Sequence, residues 1–188
     1  MIMESTARKL NSYTDEEFFA IAETSSQRIE LIEGEIIALA VPSTMHQDIA
    51  GGLYAEIRSY IRRNKGSCKP MIAPYDVRLN EKNVVQPDVM VICDPSKIDE
   101  KRCNSAPDWI IEVTSSNAQT DHETKLFLYL EYGVREYWIV NLELKKVFVY
   151  FFEQNPNTIE LYSFEQEIPV NIYKDASEPL KICIENLL

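Results

Sequence analysis

The chain has 188 residues, 45% hydrophobic and 26% charged, with five glycines and nine prolines. That composition fits one ordinary globular domain, here taken as residues 1–188, and excludes collagen-like, low-complexity and disordered classes. A net charge of -11 excludes a protein that coats nucleic acid non-specifically, because such affinity comes from accumulated Lys and Arg.

In chain order, Arg8 and Lys9 are followed by Asn11, Thr14, Asp15 and Glu16 rather than by an apolar stretch, so no secretory leader is expected and the protein is read as cytoplasmic. Thr14 with Glu17 forms a capping box ahead of a short helix over about Asp15 to Glu23. Arg28 to Ile32 and Glu35 to Leu39 read as a hairpin across Glu33-Gly34. The longest apolar run, Ile36 to Val41, is too short to span a bilayer. From Thr44 to about Asn64, Met45, Ile49, Leu53, Ile57 and Ile61 recur every four residues and predict a long amphipathic helix. Its other flank carries Arg58 and Arg62, followed by Lys65. No acid lies between Ile57 and Pro70, which gives that stretch a local charge of about +5 in an acidic chain.

Strands are expected over about Lys69 to Ala73, Asp76 to Leu79 and Asp88 to Ile92, then a polar surface loop from Asp94 to Pro107. Trp109 to Val113 reads as a strand. Thr120 with Glu123 caps a helix running to Tyr132 that Gly133 ends, and Glu136 to Val140 returns as a strand. The tail, Lys146 to Phe152 and Ile159 to Ser163, reads as antiparallel strands around Asn155-Pro156-Asn157. The sum is a mixed α/β domain.

Cys68, Cys93, Cys103 and Cys183 form no Cys-x-x-Cys pair and have no histidine cluster beside them, which argues for reduced thiols and against structural zinc. With only His46 and His122 for imidazole, a metal must be held by oxygen, which favours Mg2+ or Mn2+.

Val89 to Ile92 and Trp109 to Ile111 are near-continuous apolar runs, as in strands covered on both faces. Each run adjoins a carboxylate out of keeping with it, Asp88 and Glu112. If the two strands are antiparallel neighbours, these acids converge at one rim, spaced to hold a divalent cation. Lys125, on the following helix, could then offset negative charge as a phosphodiester is attacked. Alone, Asp88 after Pro87 reads as a turn residue. Glu112 reads equally as half of a buried structural pair with Lys125, and Lys125 as a solvated helix residue. Glu30 and His46 read as capping or hydrogen-bonding groups, and Arg58, Arg62 and Lys65 as a solvated face.

The segments RIELIEGEI, VVQPDVMVICDP, APDWIIEVTS and KLFLYLEYGVREYWIV, over about residues 13 to 152, resemble the bacterial Uma-two-type restriction endonuclease family within the PD-(D/E)XK nuclease superfamily. The resemblance implies a restriction-endonuclease-like fold of the α/β (α+β) type, with a mixed central sheet flanked by helices and additional antiparallel strands. It implies a metal-dependent endonuclease acting on DNA, with Mg2+ or Mn2+ held by Asp88, Glu112 and the carbonyl of Val113, and with Lys125, Glu30 and His46 at family positions. Thr114 stands where the superfamily has lysine, and Lys125 supplies that charge from the helix. Arg58, Arg62 and Lys65 are candidate phosphate contacts, and a homodimer would set two sites against opposite strands. The alternative is a nuclease-like scaffold that binds nucleic acid or a protein without cutting.

Overall fold

In the computed structural model, which describes residues 12–114, 119–154 and 158–188, the short helix α1 (Asp15–Ala22) opens on the expected capping box. Thr14 Oγ1 accepts from the Glu17 amide while Glu17 accepts from the Thr14 amide. The hairpin β1 (Ile29–Ile32) and β2 (Glu35–Ala38) follows. Both residues of its turn, Glu33 and Gly34, have positive φ, the conformation that keeps a two-residue turn in step with strand twist. Helix α2 (Thr44–Arg63) buries Ile49, Leu53, Ile57 and Ile61 on one stripe. Gly52 lies so close to Leu187 that a Cβ there would clash at 2.9 Å, whereas Gly51 has open space. Close packing therefore explains the second glycine of the pair only.

The strands β3 (Lys69–Ile72), β4 (Asp76–Asn80), β5 (Asn83–Val85), β6 (Val89–Ile92), β7 (Arg102–Cys103) and β8 (Trp109–Thr114) lead to α3 (Gln119–Glu131). Then come β9 (Glu136–Asn141), β10 (Lys146–Phe151), β11 (Ile159–Ser163), β12 (Ile168–Pro169) and β13 (Lys181–Ile182). The expected strands omit β5, and the expected loop over 94–107 holds a 3₁₀ turn and β7. Strands of two or three residues carry too little periodicity to be read from sequence. The side chain of Thr120 and the Asn155-Pro156-Asn157 turn lie outside the described residues.

A six-stranded sheet runs β11-β10-β9-β8-β6-β3 and a five-stranded sheet runs β2-β1-β5-β4-β7. In the larger sheet β6 and β8 are antiparallel and β8 and β9 parallel, with the connection through α3. Alternation along the strands sorts its two faces. Val89, Val91, Trp109, Ile111 and Val113 pack with the apolar stripe of α2. Met90, Ile92 and Ile110 pack with Leu128 and Tyr129 of α3 and with Val77 and Val85 of the smaller sheet. Phe18 of α1 closes a third cluster on Leu31 and Val84. Among the described residues no helix is long and apolar enough to cross a membrane.

Cys68 and Cys93 are joined in a disulfide, where the sequence reading expects reduced thiols. They directly flank the paired residues Lys69 and Ile92, so the β3–β6 register sets them opposite each other. Sequence spacing does not reveal that register.

One buried carboxylate serves the fold alone. Glu136, fully buried, accepts hydrogen bonds from Trp138 Nε1 at 2.8 Å, the Asn171 amide at 3.1 Å and the Ile172 amide at 2.9 Å. It thereby ties β9 to the C-terminal segment, and burial pushes its pKa above the ordinary carboxylate value. Every contact is a donor, so an amide in its place turns an N–H onto another N–H. Glu136→Gln should destabilise the protein by about 2 kcal/mol and lower its melting temperature by roughly 4–8 °C. A melting curve checks this, and unchanged melting would mean the donors find other acceptors.

Candidate active site

Asp88 opens β6 and Glu112 lies near the end of β8, and the register Val89↔Ile111 sets the two side by side. The condition attached to their convergence is met. Glu112 shares the sheet face of Ile110, so it points at α3, from which Lys125 and Tyr129, one turn apart, both reach Glu112 Oε1 at 3.2 and 2.8 Å. Lys125 also lies 2.9 Å from Oε2 and 3.1 Å from Oε1 of Glu30 on β1. His46, from the first turn of α2, places Nε2 3.0 Å from Asp88 Oδ2. The same oxygen accepts the Val113 amide at 2.8 Å.

Five residues singled out from sequence, Glu30, His46, Asp88, Glu112 and Lys125, therefore stand together. Glu30, Asp88, Glu112 and Lys125 are all buried. A cleft of ≈ 260 Å³ opens onto Asp88, Glu112, Val113, Lys125 and His46, and its lining also includes the polar Arg28 and Gln86 and the apolar Leu39, Val41, Pro42 and Leu142.

Three carboxylates share this cluster with one ammonium group. Burial, aggravated by the charges of Asp88 and Glu30 and only partly offset by Lys125, pushes Glu112 up to about 7. His46 is raised as well: burial opposes its charged form, but the hydrogen bond to Asp88 and the charges of Asp88 and Glu112 outweigh it. Such a site is short of positive charge. Asp88 Oδ1 and Glu112 Oε2 carry no hydrogen bond among the described residues. The N–H and C=O of a strand residue point to the same side, so the Val113 carbonyl faces the Asp88 edge. No three His, Cys, Asp or Glu side chains among the described residues group closely enough to chelate a cation. What the site could offer is two carboxylate oxygens and one carbonyl, a hard, oxygen-only set suited to Mg2+ or Mn2+ with water completing the shell.

The basic stripe lies elsewhere. Arg58, Arg62 and Lys65 are exposed, and at 1.5 Å per residue Arg58 and Arg62 lie roughly 18 and 24 Å from His46 along α2. Arg58 donates to Tyr54 Oη at 2.8 Å.

Tyr129 has the helical spacing of a core residue beside Leu126 and Leu130. It is buried, yet its hydroxyl serves Glu112, and the signal for that was its spacing of four from Lys125. Arg28, which reads from sequence only as the start of a hairpin strand, stands two residues before Glu30 and so falls on the same strand face.

A group whose pKa is raised on folding stabilises the fold fully below its unfolded value, and that contribution fades as pH climbs through the folded value. The free protein should therefore lose stability between about pH 4.5 and pH 7, the span of Glu112, with His46 acting in the same direction. Denaturant titrations across that range should show the decline, and Glu112→Gln should flatten it. An equally steep decline in Glu112→Gln would assign it to other groups.

The family model described as "Putative restriction endonuclease" matches residues 15–175. No protein with a curated description matches the chain. Solved structures that match include a crystal structure from Anabaena variabilis titled a "putative nuclease belonging to DUF820". It is 23% identical over 93% of this chain and 96% of that one, with a TM-score of 0.75. At that identity the likeness shows the fold, a restriction-endonuclease-like mixed sheet with flanking helices. The match over most of its length makes the chain a member of the Uma2 family.

Proposed function

We propose that this protein is a metal-dependent endonuclease that hydrolyses phosphodiester bonds in DNA, using Mg2+ or Mn2+. The observation that carries the reading is a cluster of three buried carboxylates beside an open cleft, Glu30 and Glu112 on Lys125 and Asp88 on His46. The family description supports the same chemistry.

Asp88 Oδ1, Glu112 Oε2 and the Val113 carbonyl would hold the cation. When bound, it would supply Lewis acidity at a phosphate oxygen and make an attacking water more acidic. His46 fixes Asp88 through Oδ2 and leaves Oδ1 for the cleft. Lys125 offsets negative charge on the incoming water and on the phosphoryl oxygens as they crowd around phosphorus. Glu30, itself fixed by the Gln86 amide at 2.8 Å, and Tyr129 hold the lysine and Glu112 in place. Water is the nucleophile, so no covalent enzyme intermediate forms. Arg58, Arg62 and Lys65 contact flanking phosphates, and a homodimer supplies a second site for the opposite strand.

One observation favours a non-cutting scaffold: Lys125 is already paired with Glu30 and Glu112, as in a structural network. Supercoiled DNA separates the two readings. Asp88→Asn, which keeps an acceptor for the Val113 amide, should stay folded and lose nicking roughly 10²- to 10³-fold. Lys125→Met should retain cation binding and still lose nicking. A native chain that never nicks in Mg2+ or Mn2+, or an Asp88→Asn chain that nicks normally, overturns the nuclease reading.

A further inference from the structure

An acidic cleft repels the substrate proposed for it. A phosphodiester entering it meets Asp88 and Glu112, while Lys125 is engaged with Glu112 and Glu30 and His46 lies on Asp88. The apolar part of the lining, Leu39, Val41, Pro42 and Leu142, has no charge to offer. The remaining cation in the lining is Arg28.

Arg28 is half-buried and forms no ion pair among the described residues, although it shares the cleft with two carboxylates, Asp88 and Glu112. Its Nε donates to Gln86 Oε1 at 3.0 Å, and its two terminal nitrogens donate to nothing described. Gln86 cannot turn away easily, because its own Nε2 donates to Asp76 Oδ1 at 2.8 Å and flipping the amide would set its oxygen against that carboxylate. Its backbone amide is held by Glu30. The chain Asp76–Gln86–Arg28 thus aims the guanidinium before any ligand arrives. Holding a planar, permanently charged fork in place removes much of the entropy lost on binding.

We propose that Arg28 is a phosphate-binding residue, presenting the two terminal nitrogens of its guanidinium to the non-bridging oxygens of a nucleic-acid phosphate in the cleft. The inference rests on the nuclease reading for the class of ligand, but not on cleavage. It gives Arg28 and Lys125 separate tasks, the first to hold the substrate and the second to offset charge during attack.

The test is fluorescence anisotropy with a short labelled DNA duplex, in Ca2+ so that binding is read without cleavage, across a range of salt. Arg28→Gln should weaken binding roughly tenfold or more and reduce the slope of log affinity against log salt by about 0.9, the share of one phosphate contact. Arg28→Lys, which keeps the charge without the fork, should keep the slope and lose part of the affinity. It also serves if Arg28→Gln fails to fold. Melting curves read any structural role directly. Native affinity and slope in folded Arg28→Gln, or no duplex binding by the native chain, overturns the proposal. Arg28-dependent binding by a native chain that never cleaves would overturn the nuclease reading alone. Normal cleavage with an unchanged KM in Arg28→Gln would overturn this inference alone.

Discussion

The crowding of three buried carboxylates, Glu30 and Glu112 on the ammonium of Lys125 and Asp88 on His46, is the interaction on which the rest of the architecture bears. Buried like charges repel strongly, and one lysine cannot neutralise three acids. The fold holds them together by drawing each from a different element. Asp88 directly precedes β6, Glu112 lies near the end of β8, Glu30 sits in β1 and Lys125 in α3, with His46 from the start of α2. Two hydrophobic layers, one on each face of the central sheet, lock those elements together. Apolar packing thus sustains an electrostatic conflict that the site could not sustain alone.

A second buried carboxylate shows what resolution of such a conflict looks like. Glu136 has a full set of N–H donors around both oxygens. Asp88 and Glu112 each keep one oxygen without a hydrogen bond among the described residues, and those oxygens belong to residues that line the cleft. The contrast separates a carboxylate built into structure from carboxylates left with capacity for a ligand.

Much of this was legible in the sequence. The period-four stripe from Met45 to Ile61 gave α2 to within a residue, and an acid at the end of each of two apolar runs marked Asp88 and Glu112 before their strands were known to be neighbours. The register that sets those acids side by side also sets Cys68 against Cys93, and it was not legible, because pairing partners leave no local trace. Tyr129 was read as core because an aromatic ring at helical spacing buries well whether or not its hydroxyl is used. Arg58 and Arg62 on α2 and Lys65 just beyond it form a visible basic stripe, yet the stripe runs away from the cleft. The terminal pair β12–β13 is too short for its alternation to register.

The most direct measurement is calorimetric titration of Mg2+ or Mn2+ into the native chain and into Glu112→Gln at about pH 6.5, in two buffers of different ionisation enthalpy. If the cleft is kept acidic for a cation, the native chain binds and its heat differs between buffers, because Glu112, held up to about 7, releases a proton as the cation arrives. Glu112→Gln then loses the proton release and most of the affinity. No binding heat from the native chain, or binding that Glu112→Gln leaves unchanged, would contradict this and return the three carboxylates to a structural role.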